Sequence, residues 1–355
     1  MSDDLAENFD RFAKTMGRDL PLYGRLSAGA AEDRPVRELL LEAPPQQRLP
    51  VLLFAAVHFL LLGGTDHRLT RWYPTLGDTS EADGDPYPDF RDFVLDRRTE
   101  VIELLATRNT QTNEIGRCSV LRPAWAVATA DVVAPLGLIE VGASAGLNLL
   151  LDRWAYDFTP EGPRSGDPSR EVLVTAQSRG NPIPELGTLV LASRVGIDVQ
   201  PVQVVDDEAV RWLLACVWPD QLPRFRRLQS AVDVARTDPP VLLTGDAVEA
   251  LPPIALAVPA DQHLAVQNSW ALNYLTPESR QQFLGVLDEL GAVRDLSWVS
   301  AEGPDFAPGL PFPPRPDGIT KDLGTVTVLT TWRNGCKASR RLADSHPHGT
   351  WVHWW

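Results

Sequence analysis

The residues best placed to do chemistry are Glu140, Gly142, Ser144, Gly146 and Asn148, at alternate positions of one short stretch. An apolar run from Gly137 leads into it, the small residues Gly142 to Gly146 follow, and leucines continue beyond. That order predicts a strand, a tight turn and a helix pointing away from it. Glycines let a backbone come close to a ligand, and a helix N-terminus offers unpaired N–H groups, so the stretch reads as a nucleotide cradle. Glu140, at the end of the strand, would accept hydrogen bonds or bind a positive charge. Gly142-x-Ser144-x-Gly146 also spells the turn that presents a nucleophilic serine, with Ser144 as the nucleophile. The plainer alternative is a strand–helix junction whose small residues serve only close packing.

Polar groups recur at the ends of later apolar runs. Leu189 to Asp198 and Pro240 to Asp246 each end in an acid, and His263 to Trp270 turns polar at Gln267 and Asn268. A carboxylate at the tip of the strand after a glycine turn can accept from both ribose hydroxyls, which makes Asp198 the candidate. The usual separation is about 20 residues; the longer one here predicts an inserted hairpin at about 158–190. Upstream, Thr107 to Cys118 is almost entirely polar. Gln111, Asn113, Glu114 and Arg117 could fold over a ligand, or belong to a solvated connection with a helix cap. His346-Pro-His-Gly349 precedes the last strand. An imidazole titrates near neutral pH, so His346 and His348, with Glu114, are candidate catalytic groups. The competing reading is a turn whose histidines bond the backbone. His58, inside an apolar run, reads as a satisfied core residue. No metal site is expected, because the two loop histidines lack further ligands of recognisable spacing.

The elements that must position these groups change character along the chain. Leu5, Phe9, Phe12 and Met16 recur at helical spacing, and Pro35–Leu41, Leu49–Leu62, Phe90–Ala106 and Val120–Val133 continue as helices. Residues 77–89, rich in Gly, Asp and Pro, predict a loop. From residue 137 strands alternate with helices, which argues for a mainly parallel sheet covered by helices. Thr325–Trp332 and Gly349–Trp355 would close the chain as an antiparallel pair. The expected fold is α/β: a helical N-terminal cap region over 1–135, then a Rossmann-like, mainly parallel sheet over 136–355.

Composition narrows the function. Of 355 residues, 44% are hydrophobic and 23% charged, which is a globular composition. The net charge of −14 disfavours nucleic acid, whose phosphates would be repelled. Cys118, Cys216 and Cys336 form no C-x-x-C pair, so reduced thiols in a cytoplasmic protein are expected. The polar, acidic N-terminus does not read as a signal peptide, and the longest apolar run, Val51–Leu62, is too short to span a bilayer. A small-molecule substrate is the expected partner, with no membrane. No recognisable motif encodes the acceptor or an oligomeric state.

The spacing Glu140-x-Gly142-x-Ser144-x-Gly146 resembles the first motif of class I S-adenosylmethionine-dependent methyltransferases. Four polar strand tips and a closing antiparallel pair extend the resemblance over about 137–355. It implies S-adenosylmethionine as cofactor. Gly142, Ser144 and Gly146 would line its methionine part, and Asp198 would hold the ribose. Asp246 and Ala247 would meet the adenine; Gln267, Asn268 and Trp270 would face the transferred methyl group. The motif departs from the family in having Ala143-Ser144 where a glycine-richer loop is common. Ser144, Asp246 and His346 or His348 fall in the chain order of α/β-hydrolase triads. Against that reading, the region before Ser144 is helical, and Glu140 would be a buried charge beside the nucleophile. A third reading is a nucleotide-binding protein without catalysis. The whole chain also resembles a bacterial family known as domain of unknown function 2332. The matching stretches are Gln111–Cys118, Glu140–Asn148, Arg194–Asp198, Arg211–Pro219 and His346–Gly349.

Overall fold

A computed structural model describes residues 2–77, 83–167, 172–307 and 324–355. Residues 78–82 of the expected loop and 168–171 of the expected insertion lie outside them. The chain forms two compact units, residues 1–112 with 205–229, and residues 113–204 with 230–355.

The first unit is helical. It contains α1 (Ser2–Met16), α2 (Pro21–Glu32), α3 (Arg34–Arg37), α4 (Pro50–Leu62), α5 (Tyr87–Asp96), α6 (Arg98–Thr107) and α8 (Asp207–Ala215). Its core gathers around Phe54 of α4, which meets Phe9, Phe12, Tyr23 and Phe90. His58 is satisfied within this core, with Nδ1 3.1 Å from the Ala215 carbonyl and Nε2 2.8 Å from Thr75 Oγ1. The expected helix over 90–106 is two helices. Arg97, at φ −102° and ψ 25°, leaves helical geometry between α5 and α6.

The second unit is built on an eleven-stranded sheet. In chain order the strands are β1 (Leu136–Val141), β2 (Ala155–Thr159), β3 (Arg164–Ser165), β4 (Leu173–Gly180), β5 (Leu191–Asp198) and β6 (Val241–Thr244). β7 (His263–Ser269), β8 (Leu296–Glu302), β9 (Thr325–Arg333), β10 (Cys336–Ser345) and β11 (Trp351–Trp354) follow. Their order across the sheet is β3-β2-β4-β11-β10-β9-β8-β7-β1-β5-β6. β6, β5, β1, β7 and β8 are mutually parallel. The chain steps from β1 outward to β5 and β6, then returns to the other side of β1 as β7. β1 is therefore a topological switch point, where open α/β sheets bind ligands beyond the strand ends. α7 (Cys118–Ala128) packs against β4, β8, β9 and β10. α10 (Ala247–Ala257) and α11 (Pro277–Val293) bury Leu251, Phe283 and Leu287 with Ile139, Val266 and Trp298 of the sheet. α9 (Leu222–Thr237) precedes β6.

Three expectations need correction. The glycine turn is not followed by an α-helix. After Gly146, in left-handed geometry, Leu147–Leu150 make one 3-10 segment. Its residues are buried all round, so it lacks the polar face of a surface helix. The segment between β1 and β5 forms a β2–β3 hairpin and β4, which join the far side of the sheet beside β11. Finally, β9 does not pair with the last strand. Asn334 and Gly335, both at positive φ, turn β9 directly into β10, and β11 lies between β10 and β4. Asn-Gly is a preferred type I′ hairpin turn.

Candidate active site at the strand tips

The loop after β1 is held from within the protein. The N–H groups of Gly142 and Ala143 donate to the Ile197 carbonyl at 2.8 and 3.1 Å. The Ser144 N–H donates to Asp198 Oδ2 at 2.8 Å, and the Gly146 N–H to the Ala143 carbonyl at 2.7 Å. The Leu147 N–H donates to Asn113 Oδ1 at 3.1 Å. Asp198 thus braces the loop; its Oδ1 also accepts from the Gln200 N–H at 2.8 Å. Asp198 remains half-buried. Gly142 has φ +73°, and a Cβ there would lie 2.5 Å from the Ala271 Cβ. Ser144, at φ +52°, buries a hydroxyl with no hydrogen-bond partner.

Glu140 lies beneath this loop, 1% exposed. Burial raises its pKa to about 8, against hydrogen bonds from Asn148 and Gln267 and the charge of Arg117, which lower it. It therefore carries a proton at neutral pH, and its Oε2 has no partner. The amides that surround it are themselves engaged. Gln267 Oε1 accepts from Trp125 Nε1 at 2.8 Å, and Asn148 Oδ1 accepts from Cys118 Sγ at 3.3 Å.

On the other face of β7, Asn268 donates to Glu302 Oε1 at 2.6 Å and accepts from Trp298 Nε1 at 2.6 Å. Glu302 also accepts from the Ala271 N–H at 2.8 Å, and its Oε2 has no partner. Burial raises its pKa to about 7. Gln267 and Asn268 are fully buried. Polar side chains on a buried strand must find partners, and these have found them within the sheet. Trp270 stands beyond the tip of β7 at φ +55°, rare for so bulky a residue. Its Nε1 donates to Thr325 Oγ1 at 2.8 Å, and the Arg117 guanidinium lies 5.9 Å from its ring.

Glu114, Arg117, His346 and His348 also come together, from segments more than 200 residues apart. Arg117 Nε donates to the Pro347 carbonyl and its Nη1 to the Ser269 carbonyl, each at 3.1 Å. Glu114 Oε2 lies 3.5 Å from His348 Nδ1. Asp246, by contrast, is exposed and caps α10 by accepting from the Val248 N–H at 2.8 Å, with Ala247 buried behind it. Gln111 belongs to the helical unit, where its backbone meets Cys216. Among the described residues no Ser–His–acid chain forms: Ser144 Oγ has no partner, Asp246 caps a helix, and His348 faces Glu114.

Sequence reasoning passed over Glu302 and Ser269, and read Arg117 only as one of several polar groups that could fold over a ligand. Glu302 was within reach of it. The alternation of β8 runs on through Ser300 and Ala301 to an acid before Gly303, as in the other strands with polar tips. Among the described residues, no group of three or more His, Cys, Asp or Glu is placed to hold a metal ion. No described helix is long and apolar enough to cross a membrane.

With this geometry in hand, comparison with known proteins adds one match. Residues 6–354 match the family described as "Uncharacterized protein conserved in bacteria (DUF2332)". The chain belongs to that family. No curated protein matches it. In this DUF2332 protein the quoted stretches Glu140–Asn148, Arg194–Asp198 and His346–Gly349 and most of Gln111–Cys118 belong to the sheet unit, and Arg211–Pro219 belongs to the helical unit. Arg194 there pairs with Asp152 through two contacts, at 3.1 and 3.2 Å.

Proposed function

We propose that the crevice at β1 takes an adenosyl ligand without phosphate, S-adenosylmethionine, and that the protein is a methyltransferase acting on a small molecule. The observation that carries this reading is the hydrogen bonding of the loop. Pyrophosphate ligands are held by backbone N–H groups aimed outward. Here the N–H groups of Gly142, Ala143, Ser144, Gly146 and Leu147 all bind the protein itself. Acceptor oxygens lie nearby: half-buried Asp198, exposed Asp246 and Glu140 Oε2, which has no hydrogen-bond partner. Acceptors suit ribose hydroxyls, an adenine amine and a cationic amino-acid portion. They do not suit a phosphate.

In this reading Asp198 holds the ribose, Asp246 with the Ala247 backbone meets the adenine, and Glu140 receives the ammonium end. S-adenosylmethionine, when bound, supplies an electrophilic methyl group. The protein aligns a nucleophile with it and excludes water. Gly142, Ser144 and Gly146 shape the loop, and Trp270 with Arg117 forms the wall on the acceptor side. Gln267 and Asn268 orient the two buried glutamates.

Thermal unfolding with S-adenosylhomocysteine, NAD and ATP tests the reading. Ligand at about 100 times its dissociation constant stabilises by about 2.7 kcal/mol. A shift with the homocysteine ligand alone, abolished by Asp198→Ala, is expected. A larger shift with NAD or ATP would overturn the reading.

A further inference from the structure

β7 carries one arrangement twice, once on each face. Trp125 Nε1 donates to Gln267 Oε1 at 2.8 Å, and Gln267 hydrogen-bonds Glu140. Trp298 Nε1 donates to Asn268 Oδ1 at 2.6 Å, and Asn268 Nδ2 donates to Glu302 Oε1 at 2.6 Å. An indole N–H can only donate. It therefore fixes each amide with its oxygen toward the tryptophan and its NH2 group toward the glutamate. Glu302 Oε1 also accepts from the Ala271 N–H at 2.8 Å, and the Leu272 N–H donates to the same carboxyl. With Oε1 committed as an acceptor, a proton on this group must sit on Oε2. Glu302 is fully buried, yet Oε2 has no hydrogen-bond partner. Such an atom is costly to leave unpaired and calls for an explanation.

The same donors tie Glu302 to the loop after β1. Ala271, whose N–H it binds, sets its methyl group 2.5 Å from where a Cβ at Gly142 would lie. Trp270, just before it, is held at φ +55°, with its N–H donating to the Ala301 carbonyl at 3.0 Å. Arg280 pins the far end of this turn through the carbonyls of Leu272 and Leu275, at 3.2 and 3.1 Å. Glu302 is thus set in a rigid frame at the C-terminal end of β8, next to the wall assigned to the acceptor. Burial raises its pKa to about 7, against its hydrogen bonds and the charge of Arg117, which lower it. At neutral pH it exists both with and without its proton, as a general base must.

We propose that Glu302 is the general base of this site, taking a proton through Oε2 from the acceptor's nucleophilic N–H or O–H group, with Asn268 as its positioning residue. The assignment rests on the methyltransferase reading for its chemistry. The acceptor's lone pair forms the bond to the methyl carbon as its proton passes to Oε2. The carbon–sulfur bond breaks, and that electron pair returns to sulfur. The negative charge of the carboxylate and the positive charge of the sulfonium disappear together, and Glu302 later gives its proton to solvent. A buried site, which disfavours isolated charge, favours a step that removes two charges. The acceptor class is therefore an amine or a hydroxyl compound with a proton to lose.

Dicyclohexylcarbodiimide, an apolar reagent that modifies carboxyl groups in their protonated form, tests this on the whole protein without a known acceptor. Modification is mapped by mass spectrometry from pH 5 to 8.5. Glu302 is expected to react, at a rate that falls about tenfold between pH 6 and pH 8 as its proton is lost. An ordinary carboxylate, titrating near 4, would fall about a hundredfold over the same interval. Asn268→Ala should move the fall to higher pH, since a hydrogen bond to the charged form lowers a carboxyl pKa. No modification of Glu302 at any pH, or modification of Glu140 with Glu302 spared, would overturn the assignment. An unchanged pH dependence in Asn268→Ala would overturn the positioning role. Calorimetry with S-adenosylhomocysteine on wild type and Glu302→Gln separates the two claims. Equal binding supports both. Loss of binding in a folded Glu302→Gln protein would make Glu302 a cofactor contact and overturn its role as base. Modification of Glu302 in a wild-type protein that binds no S-adenosylhomocysteine would support a reachable base and refute only the methyltransferase reading.

Discussion

Replacing Glu140 by Gln should make the protein more stable at alkaline pH. Burial holds the Glu140 carboxyl at a pKa of about 8, from an ordinary value of 4.5. The folded state therefore keeps a proton that the unfolded state releases. The stability linked to that proton is complete below pH 4.5 and is lost as pH rises to about 8. From pH 6 to pH 9 the folded protein gives up almost the whole proton, nearly two pKa units of linkage, or about 3 kcal/mol. The glutamine variant keeps the amide contacts to Asn148 and Gln267 but has no proton to lose. Urea unfolding followed by tryptophan fluorescence at pH 6, 7, 8 and 9 measures the difference. The Glu140→Gln curve should gain on wild type by about 3 kcal/mol across that range, most of it between pH 6 and 8, levelling off above about 8. Parallel curves for the two proteins would refute the reasoning. A site that stores an unfavourable buried carboxylate is costly to stability and expected where a ligand must be met.

The remaining expectations follow from the same contacts. Glu302→Gln should show a smaller gain, about 1.5 kcal/mol between pH 6 and 9, because its carboxyl titrates near 7; the same unfolding series reads it. Gly349→Ala forces a left-handed alanine against the Gly116 carbonyl and should cost about 2 kcal/mol or more, read as a lowered urea midpoint. Asp198→Ala strips the Ser144 and Gln200 N–H groups of their acceptor and should cost about 2 kcal/mol by chemical denaturation.

Much of the parallel core was legible because its signals are local. β1, β7 and β8 are buried apolar runs, and Thr276 just ahead of Pro277 is a local cap signal for α11, accepting from the Ser279 N–H at 3.1 Å. β10 was not legible, because its first half is exposed and polar and carries no apolar alternation. Asn334-Gly335 was the turn signal that would have found it. The leucines after Gly146 suggested a helix because periodicity cannot distinguish an apolar helix from a fully buried turn. The Glu114–His348 contact joins residues far apart in the chain, where the loop packs on Gly116. Motif reading brought both residues forward but could not pair them. Nor could it show that the loop N–H groups are already engaged, since their acceptors Ile197, Asp198 and Asn113 lie on other segments.

Isothermal calorimetry of the whole protein with S-adenosylhomocysteine at pH 6 and pH 8 tests the central claim most directly. If Glu140 must be ionised to meet the ligand's ammonium, affinity should rise about 50-fold between the two, with proton release at pH 6 and loss of the pH dependence in Glu140→Gln. No binding at millimolar ligand at either pH, or binding of NAD in its place, would contradict the account.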